Sequence, residues 1–509
     1  MMDRTSLLKI LAIILSVQMS CLQTIVGQLS VAKNFTDNMV LQRNEPIPIW
    51  GHGFPNTVIR IQFGSEIKSV TVKKDATWSV LLKKRRGNSN PQSISITNQR
   101  EKIILKNILL GDVWLCIGQS NMEWPLAKEL HFKEEVRNIM NPMLRFYNPS
   151  YAGKGIYNTV FSDSVIAGLN PLDFYKGTWK MSDTLTAPKM SAVGYYFGKN
   201  IQKEEKVPIG LINLAIGGAP LETFLRRGAF KESELFFSKA RGNWLTNDEL
   251  PVWIRERGNQ NIGSITLAHK DRLGPNHAFK PGFAYESGIA PWTKVPIKGI
   301  LWYQGESNAQ ELERVNEYAS LQKLMVGDYR KQWKQPKLPF YWVQLSSIDT
   351  IRYKSHYWPR FRNEQRQLLN VIKYSGMAVS SDVGARNDVH PTNKKVIGYR
   401  LAQWALNQTY GKKNTPSGPL PRRVRYRNGK VSVDFHYAKK GLQTTGKEEL
   451  KGFSLDGKHP VTAKITGNRV AIKSDVKPKF LYYAWQPYSL GNLENKEGLP
   501  ASTFKVAID

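Results

Sequence analysis

Four short blocks hold the reactive side chains of this sequence. Gly118-Gln119-Ser120-Asn121 follows the apolar run VWLCI at 113–117, and Gly217-Gly218 follows IGLINLAI at 209–216. Gln304-Gly305-Glu306-Ser307-Asn308 follows IKGILWY at 297–303. Asn387-Asp388-Val389-His390-Pro391 comes a few residues after GMAVSSD at 376–382. Each block alone has an ordinary explanation: a serine after a strand is usually a helix cap, Gly-Gly a turn, and a lone histidine a structural group. Together they supply a hydroxyl nucleophile, two glycines, amide side chains and an acid-plus-histidine pair. That is the inventory of acyl transfer through a serine. A glycine lets the backbone come close to a developing oxyanion, and an uncharged amide can donate to it without transferring a proton.

The surrounding pattern says how these blocks are brought together. From about residue 107, strand-like runs alternate with helical periodicity, and LPFYWVQL at 338–345 adds a further run. Tyr318, Leu321, Met325, Tyr329 and Trp333 fall on one helical face, as do Ile397, Leu401 and Trp404. Such alternation predicts a parallel sheet covered on both faces, with its chemistry at the C-terminal edge of the strands. Residues 28–106 read as β, through VIRIQF, SVTV and TWSVLL, and residues 411–509 read as β again, through KVSVDF, RVAIKS and FLYYAW. The expected plan is a β domain at 28–106, an α/β domain at 107–410 and a β domain at 411–509. Within the α/β domain, 225–290 is an irregular, charged insertion near the active edge.

With 509 residues the chain is long enough for several cores, and its formal net charge is +32. The lysines and arginines are spread along the chain with no nucleic-acid motif, so a basic exported protein is expected and a nucleic-acid partner is not. Arg4 and Lys9 flank the start of ILAIILSVQM, and Ile25-Val26-Gly27 ends in a small residue. This reads as a signal peptide over 1–27 and an exported protein, periplasmic or secreted. Cys21 suggests a lipid anchor, but Gln18-Met19-Ser20 before it lacks the aliphatic residue such a site needs. No other segment is apolar enough for a transmembrane helix. Cys116 would then be the sole cysteine, a buried thiol. The eight histidines form no metal array and no phosphate loop is present, so neither metal nor cofactor is expected.

GQSNMEW, WYQGESN and DVHP resemble the conserved blocks of the sialate O-acetylesterase family within the SGNH hydrolase superfamily of carbohydrate esterases. GFAYESGIAPW at 282–292 and NLENKEGLPASTF at 492–504 extend the resemblance over nearly the whole mature chain. It implies an α/β fold: a flavodoxin-like parallel-sheet hydrolase domain flanked by β-sandwich-like domains. It also implies an esterase that removes O-acetyl groups from sialic acids of glycans through an acyl-enzyme. Ser120 would be the nucleophile and His390 the base. Asp388 would orient His390. The N–H groups of Ser120 and of Gly217 or Gly218, with the Gln304 side chain, would bind the oxyanion.

The acid stands two residues before the histidine, where many SGNH enzymes have it three before. A Ser–His dyad and a triad completed by Asp382 therefore stay open. Gln119 and Asn308 are expected to support the loops. Glu306 either anchors a loop or pairs with Asp388 as in a glycoside hydrolase, and the first reading is preferred because the second leaves Ser120 and Gly-Gly unexplained. Arg386 is a candidate for the sialate carboxylate. The rival enzyme is an acetyl esterase of neutral polysaccharide such as xylan, and the rival without catalysis is a glycan-binding protein.

Overall fold

A computed structural model describes residues 28–263 and 269–509. The signal peptide expected at 1–27, and Cys21 with it, lies outside the described residues.

The central sheet is built from seven strands: β1 (Lys102–Gly118), β2 (Asn141–Tyr147), β3 (Trp179–Ser182), β4 (Ile209–Asn213), β5 (Gly299–Tyr303), β6 (Phe340–Val343) and β7 (Ser375–Ala378). Their order is β3-β2-β4-β1-β5-β6-β7. All neighbours are parallel except β3, which runs antiparallel to β2. Five helices matter to the site: α1 (Ala192–Glu205), α2 (Val252–Ile262), α3 (Leu312–Gln332), α4 (Trp358–Val371) and α5 (Lys394–Gln408).

Side-chain alternation shows why both faces are covered. On one face of the sheet Trp114 packs edge-on against Phe197 of α1 and stacks with Tyr341. On the other, Trp302 donates to the Tyr318 hydroxyl of α3 at 3.2 Å, and Trp342 donates to the Gln365 carbonyl of α4 at 3.1 Å. The inner strands are buried on both sides, so they read as continuous apolar runs rather than alternating ones. Helices α1 and α5 lie close enough that a Cβ at Gly398 would sit 2.7 Å from the Tyr196 Cβ. Cys116 is buried within the sheet, as the sequence suggests.

Strand β1 is longer than the apolar run that announces it. Its first half pairs with the N-terminal β strands and its second half forms the middle of the central sheet, so the boundary expected at 106/107 falls inside one continuous strand. Buried Asp112 fixes the crossing point. Its carboxylate accepts from Arg43 at 2.9 and 2.8 Å, from Gln42 at 3.0 Å and from the Tyr410 hydroxyl at 3.0 Å. The N-terminal strands share one hydrophobic core with the α/β layers. The C-terminal strands, from Leu420 onward, form several small sheets around a second core. They are tied to α4 by Arg362, which is buried and donates to the Ala484 and Pro487 carbonyls at 2.9 and 3.1 Å.

Candidate active site

The C-terminal ends of β1, β4 and β5 lie side by side, so the loops that follow them meet. Gly118 pairs with Tyr303 across β1 and β5. Its φ is +133°, and a Cβ there would lie 2.1 Å from the Tyr303 carbonyl oxygen. Only glycine allows the two backbones this approach. The chain then turns: the Gln119 N–H donates to the Tyr303 carbonyl at 2.9 Å, and Ser120 opens a one-turn helix, Ser120–Glu123. The Ser120 hydroxyl is thereby presented at the sheet edge, partly exposed.

His390 comes from the loop between β7 and α5. Its Nε2 is 2.8 Å from the Ser120 Oγ. The ring stacks on Trp124, with centroids 5.2 Å apart and planes at 21°. Asp388 lies on the other side of the ring. Its Oδ1 accepts from the His390 backbone N–H at 2.8 Å and stands 3.6 Å from Nδ1. That is beyond a direct hydrogen bond to the imidazole. Asp382 is elsewhere: both its oxygens accept from Arg400, each at 2.7 Å.

The remaining expected residues divide between those around the hydroxyl and those beneath it. Gly217 donates its N–H to the Tyr151 hydroxyl at 3.1 Å. Gly218, at φ +74°, keeps its N–H without a hydrogen-bond partner among the described residues, as does Ser120. Gln304 is fully buried. Its amide nitrogen bridges Asn308 Oδ1 at 2.7 Å and the Ala219 carbonyl at 3.3 Å, and its oxygen accepts from Tyr318 at 2.9 Å. Asn308 donates on to Glu222 at 2.9 Å and accepts from the Leu221 N–H at 3.1 Å. Gln119 Oε1 accepts from the N–H groups of Gly305 and Ser307, both at 3.3 Å. These amides therefore lace the loops after β1, β4 and β5 together. Arg386 donates to Asp349 at 2.8 Å and lies over the Tyr488 ring at 4.6 Å, and its side chain stays largely exposed.

Glu306 is buried and accepts from the Asn121 amide, which also donates to the Val389 carbonyl at 2.9 Å, next to His390. Burial raises the Glu306 pKa. Asp388 by contrast is exposed, so the two carboxyls occupy unlike environments. Sequence reasoning missed Lys394, which sits in a run of polar residues that looks like a solvated helix start. It is fully buried, donates to Asn121 Oδ1, and lies over the rings of Trp124 and Tyr303 at 5.7 and 5.5 Å. Burial pushes its pKa down to about 7. The His390 pKa is also lowered from 6.5, first by burial and then by the Lys394 charge.

These shifts lead to an expectation for the acid side of the pH profile. With His390 taken as the base, neutral imidazole is the competent form, and kcat/KM is expected to fall as pH drops through a histidine pKa below 6.5. Lys394→Met removes a cation facing the ring, so the acid limb is expected to move up toward neutrality. A pH profile of kcat/KM on a simple acetyl ester checks this. An unmoved limb, or one shifted to lower pH, contradicts it.

A hydroxyl held by an imidazole, beside an unused backbone N–H on a glycine turn, is an arrangement for acyl transfer. Comparison with known proteins agrees with that chemistry. Residues 259–407 match the family described as carbohydrate esterase, sialic acid-specific acetylesterase. The chain is a carboxylic ester hydrolase related to the sialate O-acetylesterases. The esterase is 26% identical to the sialate O-acetylesterase of Rattus norvegicus over 435 residues, covering 77% of this chain and 76% of the relative. With the Homo sapiens sialate O-acetylesterase it shares 27% identity over 426 residues, covering 77% and 73%. Its fold is similar to the crystal structure of a carbohydrate acetylesterase from Xanthomonas citri, with a TM-score of 0.76 and 28% identity, covering 94% of the esterase and 99% of that chain.

Proposed function

We propose that this esterase removes O-acetyl groups from sialic acids of glycans, with Ser120 as nucleophile and His390 as general base. The observation that carries the mechanism is the 2.8 Å contact between His390 Nε2 and Ser120 Oγ at the edge of a parallel sheet. The curated relatives named sialate O-acetylesterase support the substrate.

In this reading Ser120 Oγ attacks the acetyl carbonyl as His390 Nε2 takes its proton. The tetrahedral oxyanion accepts from the N–H groups of Ser120 and Gly218. Gln304, Asn308 and Gln119 hold those loops in place. His390 then protonates the sugar oxygen, which leaves with the acetyl group on Ser120. Water, deprotonated by the same imidazole, attacks the acyl-enzyme and releases acetate. Asp388 holds the histidine backbone and lends its charge across 3.6 Å, so the pair acts as a dyad assisted by an acid. The domain reading belongs to this proposal as well: an SGNH-type core flanked by β-sandwich-like domains. So does export by the segment at 1–27. Among the described residues no helix is long and apolar enough to cross a membrane.

Acetate release from O-acetylated sialic acid and from acetylated xylan, measured in parallel, tests the substrate. The account expects release from the sialic acid at the higher kcat/KM. Release from xylan alone replaces the substrate with a neutral polysaccharide, and release from neither, nor from a simple acetyl ester, returns the chain to glycan binding.

A further inference from the structure

Helix α2 lies in the irregular segment and leans over the Gly217–Gly218 turn. Its Trp253 donates to the Ser307 Oγ at 3.1 Å and to the Gly218 carbonyl at 3.4 Å. One turn later stands Arg257, whose guanidinium lies 4.8 Å from the Trp253 ring and 5.7 Å from the Tyr157 ring. Tyr157 reaches the same turn, since its hydroxyl is 2.7 Å from where a Cβ on Gly217 would be. Tyr151, Tyr157, Gly217, Arg257, His277 and Phe279 line one cleft beside the turn.

Arg257 pairs with no carboxylate among the described residues, unlike three other arginines of this region. Arg226 pairs with Asp328 at 2.8 Å, Arg227 with Asp271 at 2.6 Å, and Arg255 with Asp248 at 2.7 Å. The Nε and Nη1 of Arg257 are buried and make no hydrogen bond among the described residues. The carboxylate nearest this turn, Glu123, is already held by Lys154 at 3.0 Å and by the Tyr151 hydroxyl at 3.1 Å. Buried His277 is kept uncharged by its burial and by the Arg257 charge, so it adds no competing group. Arg257 is otherwise partly exposed, so the rest of the guanidinium can be reached by an anion from solvent. Its planar N–H groups match a carboxylate.

We infer that Arg257, flanked by Trp253 and Tyr157, is the subsite for the carboxylate of an acidic sugar whose acetyl ester is held at Ser120 and Gly218. This rests on the sialate reading above and gives it a specificity determinant. The aromatic rings carry the guanidinium and offer apolar surface to the sugar, while the carboxylate supplies the missing charge.

The test compares O-acetylated sialic acid with its methyl ester, which has the same acetyl group and no negative charge. The wild type is expected to favour the free acid in kcat/KM by roughly 10- to 100-fold, the range for hydrogen bonds to a charged group. Arg257→Ala is expected to bring that ratio near one, chiefly through KM. Arg257→Lys is expected to retain part of it, because the charge stays and the planar fork is lost. Thermal melting of both variants checks that they fold, and because the readout is a ratio within each protein it is independent of the amount folded. A wild type that hydrolyses acid and methyl ester equally, or a preference that survives in Arg257→Ala, overturns the subsite and leaves the sialate reading standing. A wild type that hydrolyses neither form while cleaving a neutral acetylated sugar overturns the sialate reading and the subsite with it.

Discussion

Ser120→Ala is expected to lower acetate release by about 10⁵-fold or more, with the melting temperature unchanged. The hydroxyl is partly exposed and its hydrogen bond goes to His390 Nε2, so its loss leaves no buried group unpaired. The expected loss is therefore chemical rather than structural. His390→Ala is expected to cost a similar factor, because a serine hydroxyl near its free pKa is a poor nucleophile without the adjacent base. The two act as one unit, so the double variant is expected to be little worse than either single one. Residual activity in all three would come from the N–H groups of Ser120 and Gly218. Initial rates on a simple acetyl ester measure this. A Ser120→Ala enzyme retaining a tenth of wild-type turnover would remove Ser120 from the chemistry.

Gly118→Ala is expected to be nearly as damaging to catalysis, though it adds a single carbon and touches no reacting atom. The new Cβ would sit 2.1 Å from the Tyr303 carbonyl oxygen, on backbone held at φ +133°. That oxygen also accepts the Gln119 N–H that starts the turn to Ser120. Relief requires β1 and β5 to separate where the loops bearing Ser120 and Gln304 leave the sheet. A displacement near 1 Å at such a point costs about 10²-fold in rate. Strain of this kind costs several kcal/mol in stability, which thermal denaturation reads directly. Full activity and an unchanged melting temperature in Gly118→Ala would show that the close strand contact does not position the nucleophile.

The meeting of the candidate residues was legible in the sequence where chemistry and secondary structure coincide. Ser120, Gly218 and His390 each follow an apolar run that does form a strand, and the sheet brings those ends together. β1 was legible only from residue 113, because Lys106, Asn107, Gly111 and Asp112 break its first half into short apolar runs. The pairing of Arg386 with Asp349 spans 37 residues between two loops and has no periodic signal. Lys394 looks like a surface lysine, and only the closure of α5 over Trp124 and Tyr303 buries it. Arg257 was hidden for a similar reason, since the helix that carries it lies in a segment whose charge pattern reads as a loop. Gln304 shows the converse: its residue type suits an oxyanion donor, but its amide is taken up by Asn308 and Ala219. Such partners come from tertiary packing and leave little trace in local sequence.

The most direct test of the account is to mix the protein with O-acetylated sialic acid, quench with acid within the first turnovers, and map the protein by peptide mass spectrometry. The account predicts one added acetyl group on the peptide containing Ser120, formed faster than acetate appears at steady state and lost as substrate is exhausted. Turnover of the substrate with no acetylated peptide, or with the acetyl group on another residue, would contradict it.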